Sequence, residues 1–371
     1  MTSAPRMLSS DLLERIRSRA AGYDRDNSFF TEDLDELRAA GYLAPRSLVE
    51  TARDQRLLAA YAPATALAIN MHHVWVGVAR VLHDRGDTSL DWVLADAAAG
   101  ELFAFGNSEQ GNDLVLWDSL TTAEPVDGGY AFTGTKIFTS LSPAWTRLGI
   151  FGRHGDDLVH GFITRDTPGW SSKDDWDTLG MRATQSHTTV LDGALVPTNR
   201  VARVLPVGPS ADPFVFGIFA NFLLLTASVY AGIADRALEL AVEAVQRRTS
   251  LKTGQHYDQD PDFRWRIADA ALALDALAPQ LEALAADVDG LVDRGANWFR
   301  YLTGAKHRST ETARYIVDQA MRSAGGGGYR STSELSRLQR DVLAGIYHPS
   351  DTESVHSTVA ANLLGPILPQ H

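Results

Sequence analysis

The chain has no cysteine. This excludes disulfides, a thiolate nucleophile, cysteine-ligated zinc and iron–sulfur clusters together. Basic charge is also short: 34 Lys and Arg stand against 46 Asp and Glu, a formal net charge of −12. Nucleic acids and anionic membranes are held through basic patches, so neither is an expected partner. The first 13 residues lack a basic stretch followed by an apolar run and a small-residue cleavage site, so no signal peptide is expected. No repeat, low-complexity tract or charge block appears. The one stretch that could be mistaken for a membrane span, 62–82, is interrupted by His72, His73 and Arg80 well short of about 18 residues. HExxH, G-x-S-x-G and P-loop motifs are missing, and no metal-ligand spacing occurs. An apolar content of 44% and 371 residues then describe an ordinary soluble protein of two or three domains, expected in the cytoplasm.

Hydrophobic patterning divides the chain in three. Residues 12–21, 32–40, 52–60, 64–82 and 90–98 read as helices, with Thr31 before the second and Gly41 after it as start and stop signals. From about Glu101 short runs separated by turn residues take over: 102–105, 114–117, 130–133, 136–140, 148–152, 159–164 and 188–191. Asp127-Gly128-Gly129 is a hairpin signal. Beyond Pro213 the helical period returns over 216–248, 263–291, 298–324, 334–344 and 351–364, lengths that suit a four-helix bundle. The expected fold class is α+β: an N-terminal helical domain (1–100), a central antiparallel β domain (101–205) and a C-terminal four-helix bundle domain (206–371).

Several segments then stand out. They are Phe105-Gly106-Asn107-Ser108-Glu109; Tyr130-Ala131-Phe132-Thr133-Gly134-Thr135-Lys136; Leu179-Gly180-Met181-Arg182 with Val196-Pro197; and Gly325-Gly326-Gly327-Gly328-Tyr329 followed by Arg340-Asp341. The glycines read equally as a helix C-cap or as backbone that lets a cofactor approach closely. In this order and spacing the segments resemble the acyl-CoA dehydrogenase superfamily over nearly the whole chain. The resemblance implies a flavin, FAD or FMN, between the β domain and the bundle, in a homotetramer or dimer whose subunits share the site. On that resemblance Asn107, Ser108, Phe138 and Ser140 meet the flavin ring, and Ser140 tunes it. Gly325, Gly326 and Gly328 approach the cofactor. Arg247 lies near the position that reaches a neighbouring subunit's phosphates. Arg322 replaces the Gln that contacts adenosine in FAD-holding members, which makes FMN plausible beside FAD.

One departure bears on the chemistry. Abstracting a proton α to a thioester requires a carboxylate base. The family's base falls eight residues after the Asp of the Arg-Asp pair, which here is Pro349, and the alternative stretch 219–226 on the first bundle helix holds no carboxylate. His348-Pro349 is similar instead to the flavin-dependent monooxygenases of the superfamily, which take reduced flavin from a separate reductase. In that reading His348 is the acid/base or oxygen partner, with His72 or His73 reaching the same pocket, and the substrate is a small organic molecule. Acyl-CoA dehydrogenation, with an electron-transfer flavoprotein as partner and Asp351 or Glu353 as a relocated base, is the alternative. A catalytically silent homologue is the third.

Overall fold

The computed structural model describes residues 7–114, 116–365 and 367. Five helices come first: α1 (Ser10–Asp26), α2 (Thr31–Ala39), α3 (Leu48–Ala59), α4 (Pro63–His83) and α5 (Asp91–Ala98). Ser9 caps α1 by accepting from the Leu12 N–H, and Ser47 with Glu50 forms a capping box on α3. Pro63 opens α4, where a missing N–H costs nothing. Nearly every residue of α4 is buried, because it runs between other layers.

Eight strands follow: β1 (Phe103–Gly106), β2 (Thr122–Val126), β3 (Gly129–Thr139), β4 (Arg147–His154), β5 (Asp157–Thr164), β6 (Trp170–Ser172), β7 (His187–Pro197) and β8 (Val201–Pro206). They form one sheet in the order β6-β7-β3-β2-β4-β5-β8, with β1 added on β4. Most pairs are antiparallel, as expected, but β1 and β2 both run parallel to β4. The expected hairpin is present: Asp127 and Gly128 turn β2 into β3, with Gly128 at φ +84°. Two expected runs, 130–133 and 136–140, merge into the single strand β3 through Gly134. Of the run 114–117, Leu114, Leu116 and Trp117 lie in turns, and Val115 falls outside the described residues. The patterning missed β2, β6 and β8.

The C-terminal part comprises α6 (Pro213–Arg247), α7 (Pro261–Asp275), α8 (Leu277–Asp289), α9 (Asn297–Ala324), α10 (Glu334–Val342) and α11 (Thr352–Leu364). The helix expected over 263–291 is interrupted at Ala276 and becomes α7 and α8. By length and apolarity α6 resembles a membrane span, but its most apolar window is 83% buried inside the protein, packed on α3, α4 and α9. It is the core helix that joins both helical layers.

Gly232 of α6 is where that joint is tightest. A Cβ there would collide with the Arg56 carbonyl and Ala59 of α3. Beside it Arg56 clamps Asp235 of α6 through two hydrogen bonds of 2.6 and 2.7 Å. Gly232→Leu is therefore expected to lower stability by about 2–3 kcal/mol through overpacking, read as a shift of the urea midpoint at constant slope.

Candidate functional site

The loop after β1 is held by a buried charge. The Glu109 carboxylate accepts from Lys136 Nζ (2.6 Å), Ser119 Oγ (2.7 Å), Thr121 Oγ1 (2.6 Å), Asn112 Nδ2 (2.8 Å) and the N–H groups of Leu120 (2.8 Å) and Thr121 (2.9 Å). Burial alone would raise this carboxyl, but the Lys136 ammonium and the donors around it hold it down at about 2. Lys136, fully buried on β3, is lowered by burial to about 8 against the pull of Glu109, and sits 4.2 Å above the Phe151 ring of β4. The pair thus ties loop, β3 and β4 together. Beside it the Ile137 N–H donates to the Ser108 carbonyl, so the ends of β1 and β3 lie side by side.

Asn107, Phe138 and Ser140 are brought together at these strand ends. Asn107 is 1% exposed, yet neither its amide nitrogen nor its oxygen has a partner. Phe138 adopts φ +58° and is 55% exposed, with its ring edge-on to Trp176, whose buried indole N–H is also unpartnered. Ser140 is buried and hydrogen-bonded to Ser186 (2.8 Å), which bonds Thr184 (2.7 Å), which donates to the Met181 carbonyl (2.9 Å). The two loops are zipped further by the Leu141 N–H to the Thr184 carbonyl and the Ser142 N–H to the Gln185 carbonyl. Four non-glycine residues here, Phe138, Leu141, Met181 and Gln185, have φ between +43° and +66°. Such backbone costs on the order of 1–3 kcal/mol per residue and concentrates at ligand sites. Unpartnered amide and indole groups, a hydroxyl and an open aromatic ring fit a flat heterocycle with polar edges, as a flavin is.

The helical side adds a second group. Phe222 of α6 stacks on Phe105 of β1 (5.9 Å between centroids), and Thr226 and Tyr230 follow at one-turn intervals on the same helix. The Tyr230 hydroxyl lies 3.4 Å from His348 Nδ1. Burial drives this hydroxyl well above the usual phenol range, so it keeps its proton. With the hydroxyl as donor to Nδ1, the proton of neutral His348 sits on Nε2. Burial and then the Lys306 ammonium hold His348 down at about 3, so it is a neutral hydrogen-bonding group at working pH. Lys306 of α9 carries no sequence signal of this task. Its buried ammonium donates to the carbonyls of Gly345 (2.9 Å), His348 (2.8 Å) and Ser350 (2.9 Å) and so shapes the loop that presents His348. Asp351, one alternative base, caps α11 by accepting from the Ser354 N–H, and Glu353 is exposed in its first turn.

Other expected residues fall elsewhere. His72 is a core histidine: Nε2 donates to the Leu43 carbonyl (2.8 Å) and Nδ1 accepts from the Phe103 N–H (3.2 Å), with burial lowering it to about 4. Both nitrogens being occupied by backbone, the catalytic expectation for His72 is corrected to a structural one. His73, buried against Tyr42, faces a small cavity between α3, α4, α6 and α8 instead. Arg247 and Arg322 point outward, paired only with Glu243 and Asp318 one turn earlier on their own helices. It is Arg248 that reaches the glycine run, donating to the Ser323 carbonyl at 2.5 Å and lying against Gly325. Gly325, at φ +62°, ends α9; Gly326 is open and Gly328 rests on Ala324 and Met321. The Leu-Gly-Met-Arg and Arg-Asp segments are one joint: Asp341 accepts from the Met181 N–H (2.6 Å), Gly180 leaves room for the Arg340 backbone, and Arg340 pairs with Asp24 of α1.

With this geometry in place, the comparisons identify the fold and the kind of enzyme. The model "Acyl-CoA dehydrogenase, C-terminal domain" matches residues 224–350. YdbM of Bacillus subtilis (strain 168), named after acyl-CoA dehydrogenases, is 27% identical across 94% of both chains. The C-terminal part of this chain matches that family's domain, and the whole chain has the acyl-CoA dehydrogenase fold. It is a flavin-dependent oxidoreductase of that fold, with FAD or FMN as cofactor. The amino sugar nitrososynthase RubN8 of Streptomyces rubradiris is 26% identical over 90% of this chain and 82% of its own. The solved structure of KijD3 with FMN and dTDP-3-amino-2,3,6-trideoxy-4-keto-3-methyl-D-glucose superposes with a TM-score of 0.83 at 26% identity, covering 96% of this chain and 92% of that one.

Two outcomes test the site. Lys136→Met leaves the Glu109 carboxylate buried and unpaired and should cost about 3–5 kcal/mol in urea unfolding; a neutral effect would mean the pair does not anchor the loop. Asn107→Leu removes unpartnered polar atoms, so the thermal midpoint should hold or rise while flavin affinity falls about tenfold by fluorescence titration.

Proposed function

We propose that this chain is a monooxygenase that uses reduced flavin to oxidise a small polar molecule. One observation carries the reading: the loop position where the dehydrogenases hold their base presents neutral His348 beside Pro349, while Asp351 is engaged as a helix cap and Glu353 is exposed. A flavin bound at the strand ends supplies the redox and oxygen chemistry. Asn107, Ser108, Phe138 and Ser140 hold its ring, and the glycine run with Arg248 serves its phosphate side. Arg247 and Arg322, both facing outward, then serve across a subunit contact. His348, through Nε2–H, donates a hydrogen bond to the reacting oxygen or to the substrate. Tyr230 keeps His348 in that tautomer and Lys306 keeps it in place.

An amine on a nucleotide-linked sugar, the chemistry in the names of RubN8 and KijD3, is the first substrate class to try. Reduced flavin must come from a partner reductase. The outer face of α7, where Trp265 and Leu272 stand in solvent two turns apart, supports assembly of a homo-oligomer, dimer or tetramer.

The test supplies reduced FMN, ¹⁸O₂ and a panel of nucleotide-linked amino sugars to the full chain. Product carrying one labelled oxygen is expected, and His348→Ala should lower kcat about 10²-fold, as for other lost oxyanion donors. Because the folded imidazole titrates near 3, the rate profile should show no His348 inflection between pH 5 and 8. Turnover unchanged in His348→Ala would refute its role.

A further inference from the structure

We propose that the hydroxyl chain Ser140–Ser186–Thr184 makes this site discriminate between the redox states of the flavin, favouring the reduced one. The inference rests on the reading that the flavin ring lies against Ser140. Each of the three hydroxyls owns one proton. Thr184 gives its proton to the Met181 carbonyl at 2.9 Å, and a carbonyl can only accept. At 2.7 Å from Thr184, Ser186 must then be the donor of that bond, and at 2.8 Å from Ser186, Ser140 must donate in turn. All three side chains are buried, and among the described residues they have no other hydroxyl partner that would reverse the order. This polarity makes three hydrogen bonds within the protein, and the reverse polarity makes two.

The consequence falls on Ser140. Its proton is committed inward, so toward a ligand its oxygen offers lone pairs only. Reduced flavin carries a hydrogen on N5 and donates there, whereas oxidised flavin has an N5 lone pair and accepts. Oxidised flavin can be served only if the Ser140 proton turns outward, and one of the three internal hydrogen bonds is then given up. One net hydrogen bond separates the two states, about 1 kcal/mol or fivefold in affinity. Thr184, Ser186 and the Met181 carbonyl are positioning groups in this scheme, and only Ser140 meets the ligand. An enzyme that must collect reduced flavin from solution gains selectivity against the oxidised form without any charged group in the site.

The test measures Kd of the full chain for FMN and, anaerobically, for chemically reduced FMN. Wild type should bind the reduced form more tightly. Thr184→Val removes the inward end of the chain, which lets Ser186 donate to Ser140 and Ser140 donate outward. The ratio of the two Kd values should shrink about fivefold or more, and Thr184→Ser should restore it. Ser186→Ala frees the Ser140 proton by another route and should shrink the ratio likewise, which covers the case that the valine variant fails to fold. Tighter binding of oxidised FMN by wild type, or a ratio unchanged in both variants, overturns the proposal. Failure of wild type to bind FMN in either state overturns instead the reading that places a flavin at Ser140.

Discussion

The Glu109–Lys136 pair is the constraint on which the candidate site depends. Taking an ammonium and a carboxylate out of water costs several kcal/mol per ion, recovered only when geometry and accessory hydrogen bonds are complete. Here the carboxylate accepts from two backbone N–H groups, two hydroxyls and an amide besides the lysine, and the ammonium rests on Phe151. Such a pair tolerates one arrangement of its surroundings. The loop after β1 must therefore leave the sheet beside β3, and Asn107, Phe138 and Ser140 stand together because of it. The left-handed backbone of Phe138 and Leu141 is then sustained by a frame that over-determines it.

On the helical side the same logic operates with one charge. Lys306 satisfies three loop carbonyls and thereby fixes His348 against Tyr230. What results is a set of neutral groups: an amide, hydroxyls and an indole N–H at the strand ends, and on the helical side an imidazole that burial keeps uncharged. Such groups orient and discriminate through hydrogen bonds. They do not abstract a carbon-bound proton, for which a placed carboxylate is the family's solution. On the proposed reading, the divergence from the dehydrogenases lies in proton chemistry, while the strand ends keep the groups that suit a flavin.

Much of this was legible in the sequence because it is local. Helix periods, the Asp127-Gly128 turn and the order of the family segments need no tertiary information; the turn and the helices appear in the fold, with the run 263–291 broken at Ala276. Short exposed strands were missed for the same reason: β2 buries only Ala123, so its alternation carries little signal. The parallel pairing of β1 and β2 with β4 depends on partners distant in the chain. His72 and His348 look alike as letters. Only the structure shows one with both nitrogens held by backbone and the other presented on a loop. Lys306 reads as a solvated lysine on an amphipathic helix, and Thr184 and Ser186 as ordinary loop residues. The adjacent Arg247 and Arg248 differ only in which faces the glycines. In each case the deciding fact is a direction in space.

In the proposed reading, oxygen chemistry replaces proton abstraction in this site. Its most direct test is an anaerobic titration of the flavin-loaded chain with acyl-CoA thioesters in D₂O, followed by absorbance and by mass spectrometry of the recovered thioester. With no base in place, the flavin should stay oxidised and yellow and the α-carbon should take up no deuterium. Bleaching of the flavin together with α-deuteration would contradict the account.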